Sequence, residues 1–588
     1  MVRWTAVLAA GTALAAAPPW SALPLKLKND NDTAAGHSLP DLDVFHHMFT
    51  ALSDMQDAYF QRWLGTWPEG IDWTRAVMNT HVAATLRTIS RELELDLAGC
   101  ATASKEDLVA GYFADVIAYY FGEDAFSLRN QAYDDMLWVV LGWLESVQLV
   151  AEHGRALSAS SGGGETWFGS RWTPAFAHRA RVFWELAAKG WDTTLCGGGM
   201  IWNPRLTPYK NAITNQLFIS ASIGMYLHFP GDANTSPFHA AQTQHTPPPW
   251  PPRDPIFALA AQRAHLWLST SNMTNAQGLY ADGFHISPTP DDSNKTNTRC
   301  DARDEMVYTY NQGVLLSGLA GLYRATGRGA HLREGHVLVE RVVEATGWDL
   351  ARDGPADWDG DTHRAVGGKD KEKLPPWRGL GRAGVLEEAC DVLGRCSQDA
   401  QTFKGIWMHH FAGFCAPGGV DRDDGDSDGE VRRWHYARCA RYVPWLRHNA
   451  RAALGTRDES GLFGMWWTAG ILTGLNGAGD VDGVGEDQVP PGAVDYRNEG
   501  VPLTGVWVPA ADLPQAQASP SSSGVQKRLG GGDKLTLGGK RGARGKPADE
   551  AGPGAWDPNL RGRGRTLETQ GGGLAVLRAL WVVSRHEA

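Results

Sequence analysis

The 588-residue chain carries 55 Lys and Arg against 66 Asp and Glu, a formal net charge of -11. No basic block or Lys/Arg stripe interrupts that balance over the expected folded part, which argues against nucleic acid as a partner. Length alone suggests about three to four domains, but barrels with insertions exceed that prior, and a 43% hydrophobic content supports a sizeable core.

The N-terminus has one positive charge at Arg3, an apolar stretch of small residues to Ala17, then Pro18-Pro19. That pattern predicts a secretory signal peptide over residues 1–22, cleaved after Ala17 or Ala22, and too short for a membrane span. Secretion makes the seven cysteines disulfide candidates. Cys390 and Cys396 enclose a short loop, Cys415 and Cys439 flank an acidic one, and the odd total leaves at least one thiol without an intramolecular partner. Asn31, Asn234, Asn272 and Asn294 stand in glycosylation sequons.

A polar spacer over 23–40 leads into helical periodicity with no convincing strand alternation. Apolar residues recur at three- and four-residue steps over 43–63, 73–97, 106–121, 133–150, 174–191, 208–229, 256–269, 308–326 and 330–346. The pattern resumes at Gln398, with stretches at 430–454, 461–475 and 567–585. About a dozen helices fit an (α/α)6 barrel or an α-solenoid, and no fixed sequence repeat supports the solenoid. The expected fold is all-α, with the barrel over 41–475 and 566–588. Insertions fall at 353–383, 417–429 and 476–565, and the last, rich in Gly, Pro, Ser and Lys, is expected to be disordered.

Asp134 and Asp135 stand together at the mouth of the apolar run Tyr133 to Val150. Two adjacent carboxylates there either cap a helix in water or are kept in a pocket for chemistry. Trp138, one turn after Asp134, faces the same way. The chain has 25 tryptophans, and a few lining a cleft would suit sugar rings.

Four later stretches join glycines to amides and aromatics. The first runs from Cys196 through Gly198, Gly199 and Trp202 to Lys210, Asn211 and Asn215; its glycines allow close ligand approach and its polar groups suit hydroxyls. The second presents Asp282 in a Gly-flanked turn, the third is Tyr310-Asn311-Gln312 opening a helix, and the fourth contains Lys404. Asp424 to Gly429 matches half of a calcium-binding loop, but His435 occupies the twelfth position where Glu is required. His409 and His410 are consecutive and point apart on a helix, so no metal site and no cofactor are expected.

CGGGMIW, YKNAITN, LYADG, TYNQGVLLSGLAGLYRATG and TFKGI, in this order after YDDMLW, resemble glycoside hydrolase family 76, the α-1,6-mannanases and their fungal cell-wall transglycosylase relatives. The similarity covers roughly 43–439 and the last helix. It implies an (α/α)6 barrel and retaining two-carboxylate chemistry, with Asp134 as nucleophile and Asp135 as acid/base. Many members read Asn-Asp-Asp-Gln where this chain reads Tyr133-Asp134-Asp135-Met136, which touches subsite specificity. The leading expectation is a secreted, monomeric endo-α-1,6-mannanase acting on mannan or a mannose-containing wall glycan. The alternatives are a transglycosylase moving lipid-anchor glycans onto wall glucan and a silent mannan-binding wall protein. Arg578 within the last apolar run, and the charge that follows, do not resemble a lipid-anchor signal.

Overall fold

The apolar runs fold into helices, in order α1 (Asp41–Tyr59), α2 (Asp72–Arg91), α3 (Thr102–Gly122), α4 (Ala125–Leu128), α5 (Tyr133–Ser160), α6 (Thr173–Ala187) and α7 (Ala212–His228). The second half adds α8 (Pro255–Thr270), α9 (Tyr310–Thr326), α10 (Ala330–Ala345), α11 (Gln398–Phe414), α12 (Gly429–Ala440), α13 (Val443–Leu454) and α14 (Leu567–Ser584). The computed structural model describes residues 41–92, 102–160, 166–233, 250–287, 297–356, 374–421, 429–472, 488–498 and 557–585.

Helices α2, α5, α7, α9, α11 and α14 each pack on the next, and α14 returns to α2, closing an inner ring. Behind them stand α3, α6, α8 and α10, with α13 and α1 both backing α14. This is the (α/α)6 barrel. Which helix goes where follows from the side chains. α14 is buried on every face from Leu567 to Val583, as an inner helix touched on all sides must be. α10 instead buries one stripe, Leu332, Gly335, Leu338, Val339, Val342 and Val343, and turns its charges outward.

The inner helices run the same way, so their first turns meet at one end. Trp73 Nε1 on α2 donates to Asp399 on α11 at 2.8 Å, and Thr74 Oγ1 donates to Glu568 on α14 at 2.8 Å. Polar caps begin these helices: Asn211 accepts from Thr214 N–H, Ser397 from Ala400 N–H and Thr566 from Thr569 N–H. Close packing of the ring needs small residues. A Cβ on Gly313 would stand 2.6 Å from the Trp407 Cα.

Four features depart from the sequence expectation. First, β1 (Tyr209–Asn211), β2 (Gly283–His285) and β3 (Ala302–Asp304) form an antiparallel sheet at the active end, with Tyr209 opposite His285 and Gly283 opposite Asp304. Three-residue strands are too short to show alternation. Second, the run 430–454 breaks at 441–442, where Pro444 opens α13. Third, among the described residues of this run, 461–472, there is a 3-10 turn at Trp467–Gly470 in place of a helix; Gly461 has φ 82°, and the backbones of Gly455 and Gly470 pack face to face. Fourth, 488–498 and 557–565, inside the stretch expected to be disordered, are ordered against the barrel.

Cys390–Cys396 and Cys415–Cys439 are disulfides, joined by Cys196–Cys300, which ties the Gly-rich loop to the segment before β3. Cys100, Asn31, Asn234, Asn294, residues 1–40, the acidic loop 422–428 and residues 499–556 lie outside the described residues. Among those described, no helix is long and apolar enough to cross a membrane.

Candidate active site

α5 begins at Tyr133, so Asp134 and Asp135 occupy its first turn. Asp135 Oδ2 accepts the Ala132 N–H at 3.1 Å, the backward half of a capping box. Asp134 Oδ1 accepts the N–H of Asp135 at 3.2 Å. The pair therefore does cap the helix, yet it does so out of bulk water, because Asp134 is buried and Asp135 only partly open. Capping and chemistry are not exclusive here.

The Gly-rich loop brings Trp202 over the pair. Its carbonyl accepts Tyr133 N–H at 2.9 Å, and its side chain hydrogen-bonds Asp134. Arg497, from the segment expected to be disordered, lies 5.3 Å from the Trp202 ring centroid. Its charge acts on Asp134, Asp282 and Asp399 together, and those acids hold it firmly protonated. The 488–498 segment is seated by three bonds: Val494 N–H to Asp304 at 3.0 Å, Tyr308 Oη to Asp495 at 2.8 Å, and Ser397 N–H to Asn498 at 2.7 Å.

Burial raises both catalytic candidates above the ordinary carboxylate range, but not equally. Asp134 is pushed up to about 6 by desolvation, restrained by Arg497 and by its hydrogen bonds. Asp135 rises further, through desolvation, then the adjacent Asp134 charge and that of Asp399. One carboxylate is favoured ionised, its neighbour protonated.

Other side chains complete the wall. Trp73, which holds Asp399, stacks on Trp138 at 5.7 Å, so Trp138 backs the site from beneath. Asp282 accepts from Tyr209 Oη at 2.6 Å and Asn311 Nδ2 at 3.2 Å. Tyr310 stacks on Phe403 at 3.8 Å and feels the charges of Arg497 and Asp134. Several buried polar atoms here have no hydrogen-bond partner among the described residues: Tyr310 Oη, Asn311 Oδ1, Asn211 Nδ2, His285 Nε2 and Asp304 Oδ2. Such atoms are costly unless something else meets them.

The remaining candidates serve the scaffold instead. Lys210 Nζ donates to the carbonyls of Asp192, Leu195, Gly198 and Gly199 and pairs with Asp192 Oδ2 at 3.2 Å, clamping the loop from inside. Asn215 accepts Met200 N–H at 2.7 Å and donates to the Asn211 carbonyl at 2.8 Å. Gly198 and Gly199 give room to Trp267, not to a ligand. Gln312 is consumed by Tyr280 N–H and carbonyl at 2.8 and 2.9 Å. Lys404 is buried in an ion pair with Asp391 at 2.5 Å. For Lys210, Asn215 and Gln312, a polar group beside irregular backbone bonds that backbone.

Among the described residues, two of three potential metal-binding clusters include disulfide cysteines, Cys439 in one and Cys390 with Cys396 in the other; the third, His265, His331 and Glu334, lies on outer helices. Arg497 and Asp399 were missed by sequence reasoning. Ser397, which caps α11, is a signal that could have drawn attention to Asp399 in that helix's first turn.

The model of glycosyl hydrolase family 76 matches residues 253–349, which hold Asp282, Tyr310 and Asn311. None of the curated proteins matches the chain. Among solved structures, it is similar to an inactive double-aspartate variant of the α-1,6-mannanase GH76A of Salegentibacter sp. HEL1_6 in complex with α-1,6-mannotetrose. That match has 16% identity and a TM-score of 0.43, covering 73% of this chain and 92% of the other. It is also similar to Dfg5 of Chaetomium thermophilum in complex with glucosamine (15%, TM-score 0.45, 73% and 83% covered). A third is the family 76 mannosidase Bt3792 of Bacteroides thetaiotaomicron (14%, TM-score 0.40, 72% and 90%).

Proposed function

We propose that the chain is a member of glycosyl hydrolase family 76, whose model matches residues 253–349, and that it cleaves α-1,6-mannosidic bonds with retention, Asp134 acting as nucleophile and Asp135 as general acid/base. The observation that carries this reading is the placement of the pair: adjacent carboxylates in the first turn of α5 at one barrel mouth, Asp134 bonded by Trp202 and facing the Arg497 charge, Asp135 raised by burial and by the Asp134 charge, so that one is favoured ionised and the other protonated. Retaining hydrolysis requires that division. Asp134 attacks the anomeric carbon as the glycosidic bond breaks, while Asp135 gives its proton to the leaving oxygen. Asp135, now ionised, takes a proton from an incoming hydroxyl, which displaces Asp134 from the sugar. Trp202 supplies a flat face for a pyranose ring. The unsatisfied atoms of Tyr310, Asn311, Asn211 and His285 suit its hydroxyls.

Three disulfides support an oxidising, extracellular setting, as does the signal-like 1–22 stretch. Defined α-1,6-mannan oligomers, analysed by mass spectrometry, test the activity. Asp134→Asn and Asp135→Asn should each abolish turnover; full activity in either overturns the assignment. With an activated leaving group and added azide, Asp135→Ala should give the α-mannosyl azide and Asp134→Gly the β-azide. New reducing ends mark hydrolysis, a lengthened acceptor marks transfer, and binding without turnover in the native protein leaves a lectin-like role.

A further inference from the structure

At the barrel end away from the aspartate pair, the C-terminal halves of the inner helices enclose a cavity of about 890 Å³. Five arginines and three carboxylates line it, alongside apolar walls that include Leu144, Ile223 and Leu227. Arg578 reaches into it from the middle of α14, within an otherwise apolar run and only 6% exposed. A guanidinium so placed is strongly unfavourable without a counter-charge.

Its contacts do not supply one. Nη2 donates to His409 Nδ1 at 3.0 Å and to the His409 carbonyl at 3.2 Å. Nε is buried with no hydrogen-bond partner among the described residues, and no described carboxylate lies within ion-pair distance of the group. The nearest relief, Glu145, already holds Arg87 at 2.6 Å. On the facing helix, Arg324, which bonds the Asp421 carbonyl at 3.2 Å and His228 Nε2 at 3.3 Å, lines the same cavity. Burial and neighbouring cations keep His228, His409 and His410 uncharged, so they offer ring nitrogens without adding or removing charge.

We propose that this cavity is a second, non-catalytic binding site for a small molecule bearing a phosphate or carboxylate group, with Arg578 as the anchor of the anion. Arginine meets either oxyanion through paired N–H donors, and burial strengthens the contact. The apolar walls accommodate the uncharged remainder of such a molecule. A volume of about 890 Å³ is that of a small-molecule site.

The test is calorimetric titration of the full chain with inorganic phosphate, and separately with acetate, at fixed ionic strength up to about 10 mM, where even a weak charge-assisted contact registers. Saturable one-site binding of either anion, weakened at least tenfold in Arg578→Met and partly restored in Arg578→Lys, is the expected result. The arm that saturates names the oxyanion. Binding of neither anion overturns the proposal, as does an affinity that Arg578→Met leaves unchanged. Should Arg578→Met fail to fold, Arg324→Gln decides: a several-fold loss supports the site, and an unchanged affinity overturns it.

Discussion

Arg497 lies against Trp202, its guanidinium carbon 5.3 Å from the ring centroid, while the Trp202 side chain hydrogen-bonds Asp134. A segment remote in sequence thus sets the charge state of the first turn of α5. Burial would otherwise drive both aspartates toward the neutral form, and neutral Asp134 cannot attack a sugar. Arg497→Met should move the acidic limb of kcat/KM to higher pH, since the cation lowers the Asp134 pKa, and should cost roughly ten- to a hundredfold in kcat/KM at pH 6, about 1.4 to 3 kcal/mol. Arg497→Lys should recover part of the shift. An unmoved profile would leave Arg497 a packing residue.

The native pH profile should be bell-shaped. Activity rises with pH as Asp134 ionises near about 6 and falls at higher pH as Asp135 loses its proton. The limbs belong to the coupled pair, not to either residue alone. Stability carries the opposite sign. A carboxyl whose folded pKa is raised destabilises the fold in full above about 6; that penalty shrinks as pH falls from about 6 to the unfolded value of 3.8 and is gone below it. Asp134→Asn should therefore raise the melting temperature at pH 8 while leaving it unchanged near pH 3, an effect on the order of 1–3 kcal/mol. Scanning calorimetry at the two pH values measures it.

Much of the barrel was legible because inner helices such as α7 and α14 are apolar all round, and outer ones such as α10 carry a stripe. The aspartate pair was legible because carboxylates beside an apolar run demand a reason. Arg497 was not. It sits in a stretch rich in Gly, Pro and Ser, where composition signals disorder, and its place depends on bonds between its segment and Asp304, Tyr308 and Ser397 that span 101 to 190 residues. Lys210 and Gln312 misled for a related reason: nothing local tells whether a polar side chain beside glycines will meet a ligand or the backbone.

Lys210 separates those two roles experimentally. Removing its ammonium leaves the carbonyls of Asp192, Leu195 and Gly199 without their donor, at 3.0, 2.8 and 3.1 Å in the native loop. Lys210→Met should therefore lower unfolding free energy by about 2–4 kcal/mol, the combined cost of lost charge-assisted bonds and stranded acceptors. Denaturant titration reads this directly. KM should stay within about twofold if the loop still closes. A large rise in KM with stability intact would return Lys210 to the substrate.

Gly313 tests the ring itself. It opens the second turn of α9, where that helix meets α11, and its hydrogen stands where a Cβ would be 2.6 Å from the Trp407 Cα and 3.2 Å from the Trp407 Cβ. Backbone cannot yield as a flexible side chain does, so Gly313→Ala must push the two inner helices apart. Alanine's better helix propensity, worth about 1 kcal/mol, opposes this but does not outweigh an overpacking cost of about 1–3 kcal/mol. Tyr310 lies one turn earlier on α9 and stacks on Phe403 of α11 at 3.8 Å, so the same displacement loosens the wall beside Asp134. Gly313→Ala should thus lower both melting temperature and kcat/KM. Gly197→Ala is the control for a glycine change with free space: nothing stands within 4 Å of that Cβ, so any loss there comes from its φ of 68° alone. A Gly313→Ala protein as stable and active as the native one would show that α9 and α11 are not held in contact at this level.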